Sequence, residues 1–391
     1  MTKVLITGAG IVSAIGNNKQ ECLDALIHER SGVGEVRYLR TSHKEFPVGE
    51  VKLSNEEMKS RLGITSDVHY SRTELMGILS LKEALEEAKL QEDELALICG
   101  TTVAGMDIIE EFYPAKMTKE ILDRHDCGAN TDVIADYFGC FDFTSTISTA
   151  CSSATNAFRL GELLIQSGRK DVVVVGGSES LSRFHLNGFK SLMILDQTVC
   201  RPFDASRKGL NLGEGAAWMI LESEEHAKKR NAPILAELKA TGNACDAFHQ
   251  TASSDDGEGA YLAMMQALSE AGLKASEIDY VNAHGTGTEN NDASESAALR
   301  RVFGEAVPPV SSTKGFTGHT TSVSGSIEAV FCLLALQHQF LPKNLNFKTA
   351  DENCILPCVD TTVTTPLKNI LCNGFGFGGN DSTLIIGKYG E

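Results

Sequence analysis

Ser148-Thr-Ala-Cys151-Ser-Ser-Ala154 stands between a strand-like run and a stripe formed by Ala154, Ala157, Phe158, Gly161 and Ile165, with Gly168 placed to end it. That stripe has the spacing of one helix face. The chain therefore passes from strand through a Ser-rich turn into an amphipathic helix, with a thiol at the bend. A cysteine there feels the positive end of the helix dipole and nearby backbone N–H groups, which favour thiolate. On the turn alone, Cys151 is either such a nucleophile or one more buried thiol among 11 cysteines.

Outward from this point the pattern repeats. Ile327–Gln339 is a second helix preceded by a Ser/Thr-rich turn, which suggests two halves built alike, 1–231 and 232–391, with a seam at Asn231–Pro233. Short apolar strands recur at Val4–Thr7, Leu95–Gly100, Asp171–Gly177, Ala217–Glu222, Tyr280–Ala283 and Leu384–Gly387. Helical patterns at Thr73–Lys89 and Ala260–Ala271 alternate with them, so the class is α/β. Met117–Asp142 is polar and irregular, and reads as a long loop or lid.

The composition narrows the function. The net charge is −17 and Lys and Arg are dispersed, which argues against nucleic acid as a partner. No segment approaches 18 uninterrupted apolar residues and the start lacks a secretory pattern, so membrane insertion is not expected and the cytoplasm is. The cysteines are odd in number and scattered, in a chain large enough to need no disulfides; reduced thiols are expected. Cys354 and Cys358 lack the second pair or histidines of a zinc site, so no metal is expected. Gly8-Ala-Gly-Ile lacks the third glycine and the acidic ribose ligand of a dinucleotide site.

Three other segments carry groups that can react or hold charge. His284 follows a strand in Asn282-Ala-His-Gly-Thr-Gly-Thr, where two glycines permit a tight turn. Lys314 and His319 share Lys314-Gly-Phe-Thr-Gly-His319. Taken singly, each histidine is as readily a satisfied loop residue as a catalytic one, and the lysine reads more readily as a solvated side chain. Asn373-Gly-Phe-Gly-Phe-Gly-Gly-Asn is dense enough in glycine to aim backbone N–H groups at a bound oxygen.

Together with Arg201-Pro-Phe-Asp and Gly213-Glu-Gly, these motifs resemble the β-ketoacyl-[acyl carrier protein] synthase family of type II fatty acid synthesis, in the family's order from residue 3 to the last strand. The resemblance implies the thiolase-like fold, two similar halves stacked as five layers αβαβα, usually as a homodimer, with a heterodimer with a related subunit as the alternative. It implies that Cys151 carries the acyl chain, that His284 and His319 are the active-site histidines, and that Lys314 is paired to Glu295. Phe377 would gate the acyl pocket and share the oxyanion hole, Val103 would set chain length, and Thr286 and Thr288 would bind pantetheine. Asp246 and His249 match a segment at the pocket entrance. The partner implied is acyl carrier protein, with the substrate on its phosphopantetheine and no resident cofactor. Lys59, Arg61, Arg207 and Lys208 are basic pairs suited to receive it.

A thiolase would need a second catalytic cysteine near the carboxyl end, and a ketoacyl synthase III would pair the cysteine with one histidine and an asparagine. A chain-length factor shares the fold but typically lacks the nucleophile. This chain departs from the family at Asn373-Gly, where Asn-Ser is usual, and at Asn380-Asp, where Thr-Asn is usual. Leu186–Leu192 and Asn211–Ala217 look closer to synthases of aryl-polyene and flexirubin-type pigments.

Overall fold

The computed structural model describes residues 2–65, 69–90 and 94–390. Its first half contains β1 (Val4–Ser13), β2 (Leu95–Gly100), β3 (Phe141–Ile147), β4 (Val172–Glu179) and β5 (Gly215–Ser223). The second contains β6 (Ala236–Cys245), β7 (Tyr280–Asn282), β8 (Val310–Ser311), β11 (Asn369–Gly376) and β12 (Asn380–Gly387), while β9 (Phe340–Leu341) and β10 (Val363–Thr364) form a separate ribbon.

The sheet order is β3-β2-β4-β5-β1-β6-β12-β11-β7-β8. Read outward from the junction, each half places its first, fifth, fourth, second and third strands in turn. The directions match as well: two antiparallel pairings followed by two parallel ones in both halves. The halves meet where Val4–Ile6 of β1 pairs antiparallel with Leu238–Ala236 of β6. The suspected internal likeness, invisible as a sequence repeat, is therefore a repeat of topology.

The layering follows from which faces are apolar. Helix Ser153–Gln166 packs on β2 and β4 of the first half and on β6 and β12 of the second; helix Ser324–His338 packs on β1 and β5 and on β11 and β12. Both lie between the two sets of strands. Arg72–Ala88 covers the outer face of the first half, and Glu258–Ala271 that of the second. The stack is thus helix, sheet, helices, sheet, helix. Because Ser324–His338 is sandwiched, every residue from Ser324 to Leu336 is buried, whereas the periodicity had suggested a single apolar stripe. Close approach on the outer faces uses glycine in both halves. A Cβ on Gly10 would lie 2.0 Å from Ser80 O, and one on Gly242 2.0 Å from Ala263 O.

Met117–Asp142 is not a loop. It holds helices Lys119–Asp123 and Cys127–Phe138, whose N-caps Thr118 and Asp126 accept from Ile121 N–H and Gly128 N–H, and it leads into β3. β3 is itself polar because it is the outermost strand, with Asp142–Thr144 exposed. Among the described residues no helix is long and apolar enough to cross a membrane.

Candidate active site

Cys151 sits where β3 gives way to helix Ser153–Gln166. Ala150, just before it, is held at φ +52°, a left-handed conformation that costs a non-glycine residue about 1–2 kcal/mol. Ser153 Oγ accepts from Thr149 N–H (2.9 Å) and donates to Ala150 O (2.6 Å), fixing the bend. The end of β11 runs against this turn: a Cβ on Gly376 would lie 2.7 Å from Thr149 O and 3.1 Å from Cys151 N. The backbone N–H of Phe377 consequently reaches the sulfur.

From the other half, His319 Nε2 stands 3.1 Å from Cys151 Sγ, and its Nδ1 is 3.0 Å from the Ser324 hydroxyl. The His284 ring is perpendicular to it, with centroids 5.3 Å apart. Lys314 is buried beneath both. Its ammonium donates to His284 O (2.5 Å), lies 3.4 Å from His284 Nδ1 and pairs with Glu328 Oε1 at 2.6 Å.

This corrects the expected partner of the lysine. Glu295 does not pair with Lys314, because its oxygens are already occupied: Oε1 accepts from His284 N–H (2.9 Å) and Asn373 Nδ2 (3.0 Å), and Oε2 from Gly285 N–H (2.8 Å). Glu295 thus shapes the His284 turn, and Glu328 supplies the counter-charge. Glu328 was legible in principle, as the one carboxylate inside the buried stretch Ser324–Leu336. An ionisable group so placed must have a partner.

Burial pushes Glu295 and Glu328 up to about 7. Burial, with the Lys314 charge next, holds His284 and His319 well below the ordinary histidine value. Both imidazoles are therefore neutral at pH 7. An ammonium can only donate, so Lys314 leaves the His284 proton on Nε2. For Cys151, burial raises the thiol to about 12 against the opposing pull of Lys314 and of Phe377 N–H. The expected resting thiolate is not met. A helix terminus contributes at most about 2 kcal/mol, roughly 1.5 pKa units, whereas full burial shifts a group by up to about 3–5 units.

A cavity of about 440 Å³ opens onto Cys151, His284 and His319. Thr286 and Thr288 line it with their hydroxyls 2.8 Å apart, and Phe377 lines it stacked on Phe189 at 5.8 Å. Val103 is not on this cavity. Its N–H lies against the buried carboxylate of Glu179, which also takes Thr102 N–H and the Ser322 hydroxyl.

Other expected residues have structural surroundings. Asp246 accepts from Ser254 N–H (2.7 Å) and the Ser254 hydroxyl (2.7 Å), and His249 Nδ1 accepts from Thr251 N–H (3.2 Å), so both brace the loop whose tip lines the mouth. Arg207 is buried, 2.7 Å from Asp351, and is removed from the basic patch; Lys208 remains at the mouth. The unusual Gly374 also has a cause. A Cβ there would lie 2.4 Å from Thr155 Oγ1, so Thr155 fills the space that a serine would take.

Comparisons with known proteins identify the family. The family model for the β-ketoacyl synthase N-terminal domain matches residues 1–227, and that for the C-terminal domain residues 235–348. The 3-oxoacyl-[acyl-carrier-protein] synthase 1 of Haemophilus influenzae is 31% identical over the full length of both chains. Among solved structures, the ishigamide ketosynthase/chain length factor superposes with a TM-score of 0.93 at 30% identity, covering 100% of each chain. AntDE:AntF, a type II acyl-carrier protein in complex with its ketosynthase, gives 0.88 at 26% identity, covering 99% of each chain. With its duplicated thiolase-like halves and a thiol facing two neutral imidazoles across their seam, this chain belongs to the β-ketoacyl synthase family.

Proposed function

We propose that the protein condenses an acyl group, held as a thioester on Cys151, with a malonyl unit on acyl carrier protein, giving 3-oxoacyl-[acyl carrier protein] and carbon dioxide. The observation that carries this is the 3.1 Å approach of His319 Nε2 to Cys151 Sγ beside a His284 whose tautomer is set by Lys314. In loading, His319 Nε2 takes the thiol proton as sulfur attacks the carrier thioester and returns it to the departing pantetheine sulfur. The N–H groups of Cys151 and Phe377 hold the tetrahedral oxyanion.

The malonyl unit then loses carbon dioxide, and its enolate oxygen accepts hydrogen bonds from Nε2–H of His284 and His319 while its carbon attacks the acyl carbonyl. Collapse expels the Cys151 sulfur as thiolate, which takes from solvent the one proton that the decarboxylation consumes. His319 needs Nε2 bare in the first step and protonated in the second. The Ser324 hydroxyl can accept from Nδ1–H or donate to Nδ1, so it serves both tautomers. Every part is a side chain or a backbone N–H, and the chemistry asks for no resident cofactor.

Thr286 and Thr288, which line the cavity, are assigned to pantetheine and Phe377 to the acyl gate. Glu295 holds the His284 turn. The division at 231/232 separates the half with Cys151 from the half with His284, Lys314 and His319. The free outer edge of β3 suits pairing with a second copy or a related subunit. Eleven cysteines, odd in number and scattered along a chain large enough to need no disulfides, suit the cytoplasm. A chain-length-factor role is the alternative, and the complete nucleophile and histidine set speaks against it.

The test is intact-mass measurement after incubation with acyl carrier proteins bearing saturated chains of several lengths and an aryl-polyenoyl primer, followed by malonyl carrier. An adduct absent from Cys151→Ala, chased to 3-oxoacyl product, supports condensation, and the preferred primer names the pathway. A folded protein that takes no primer supports the partner-subunit role instead.

A further inference from the structure

The site contains a side-chain link that the chemistry above does not use. Asn156, on the first turns of helix Ser153–Gln166, donates from Nδ2 to Thr149 Oγ1 (2.9 Å) and to Asn380 Oδ1 (3.0 Å). Its Oδ1 accepts from Asn243 Nδ2 (3.0 Å) and from the Ser382 hydroxyl (2.8 Å). Two donors and two acceptor positions are the full capacity of a carboxamide, and all four are filled. Asn243 Nδ2 also lies 3.0 Å from Asn380 Oδ1, so three asparagines close one ring of hydrogen bonds.

The positions joined are what matters. Thr149 is two residues before Cys151, and Asn380 is three after Phe377. Between Phe377 and Asn380 the chain has no side chains, only Gly378 at φ +84° and Gly379 at φ +76°. The backbone bonds of this loop run within itself, Gly379 N–H to Gly376 O, or to the second half, Gly378 N–H to Gln250 O and Asp246 N–H to Gly379 O. Asn156 adds a bond from the half that carries Cys151. The oxyanion hole is divided between those same two segments, one N–H on each, so its spacing depends on how they are fastened to each other.

We infer that Asn156 is a positioning residue, which locks the Phe377 loop to the nucleophile turn and so sets the distance between the two N–H donors of the oxyanion hole. This deepens the condensing role and rests on the assignment of Cys151 N–H and Phe377 N–H to the oxyanion. Loading depends on those donors. Malonyl decarboxylation depends on His284 and His319, which the asparagine ring does not touch.

The test compares the wild type with Asn156→Asp, nearly the same shape without the two donors, and with Asn380→Ala, which removes the link from the loop side should the first variant fold poorly. Two rates are measured on each: Cys151 acylation by a saturated acyl carrier protein, read by intact mass, and carbon dioxide release from malonyl carrier without primer. Acylation is expected to fall about 10- to 100-fold in both variants, with decarboxylation falling less than about threefold. The double variant should be no worse than either single one, since both cut one link. Acylation within twofold of wild type, or the two rates falling together as a loosened fold would make them, overturns the inference. A wild-type chain that takes no acyl group overturns the oxyanion assignment, and the inference with it.

Discussion

Removing the Glu328 carboxylate should be the most damaging single change to a residue that never touches substrate. Lys314 and Glu328 are 1% and 3% exposed and 2.6 Å apart, so Glu328→Ala strands an ammonium in the interior with the His284 carbonyl and ring nitrogen but no counter-charge beside it. Breaking one partner out of a buried pair costs about 3–5 kcal/mol. The single tryptophan, Trp218, lies buried in β5, so its fluorescence can follow urea unfolding. Glu328→Ala should lose about that much stability, and Lys314→Met/Glu328→Ala should regain most of it while remaining inactive. The same cycle with Glu295→Ala should give a clearly smaller coupling, because Glu295 spends its oxygens on N–H groups of the His284 turn and on Asn373. A loss below about 1 kcal/mol for Glu328→Ala, or a stronger coupling of Lys314 to Glu295, would refute the pairing and the role drawn from it.

Three further outcomes are expected. His319 is held well below 6.5, so the acylation rate should stay nearly level from about pH 8 to about pH 6, where an ordinary histidine would be only roughly a quarter neutral; a decline centred near 6.5 contradicts the neutral-imidazole account. Gly374→Ser drives a Cβ to within 2.4 Å of Thr155 Oγ1 and should cost about 1–3 kcal/mol by urea unfolding. Adding Thr155→Ala should recover most of that, since the hydroxyl it removes has no hydrogen-bond partner among the described residues; a neutral Gly374→Ser sinks the explanation. Burial first, and then the charge of Asp246, push Asp381 up to about 7 from 3.8. Its folded form therefore binds a proton more tightly than the unfolded chain, and stability falls as pH rises through that range. Asp381→Asn should remove the fall, gaining about 2–4 kcal/mol over wild type at pH 8 and little at pH 4; equal pH profiles for the two proteins would be the contrary result.

What the sequence made legible was decided by local chemistry. Cys151, His284, Lys314 and His319 converge because each follows a strand end in a turn of small residues, and turns of that kind are readable one at a time. Glu328 was hidden by its helix, where apolar neighbours on every side read as core and the single carboxylate passed unnoticed. β3 was half hidden by position. As an outermost strand it has no need of apolar residues on both faces, so the run before Ser148 reads as strand-like while its first residues, Phe141 and Asp142, fall in the stretch that reads as loop. The thiolate expectation failed for another reason: the helix terminus is visible in sequence, but the enclosure that outweighs it is made by residues remote in the chain, His284, His319 and Phe377 among them. Arg207 failed likewise, since Asp292 and Asp351 that bury its charge lie in the other half.

The repeated strand order bears on why the chemistry is encoded in one chain. The chain leaves the third strand of its first half at Ile147 to reach Cys151, and the third strand of its second half at Ser311 to reach Lys314 and His319. Two identical subunits related by a twofold axis would set like against like at these places, sulfur facing sulfur or imidazole facing imidazole. A single continuous polypeptide escapes that symmetry. Its equivalent corners are free to diverge, one toward the electrophile-carrying thiol and the other toward the groups that manage protons, so the asymmetry that makes the pair reactive is a product of their covalent union.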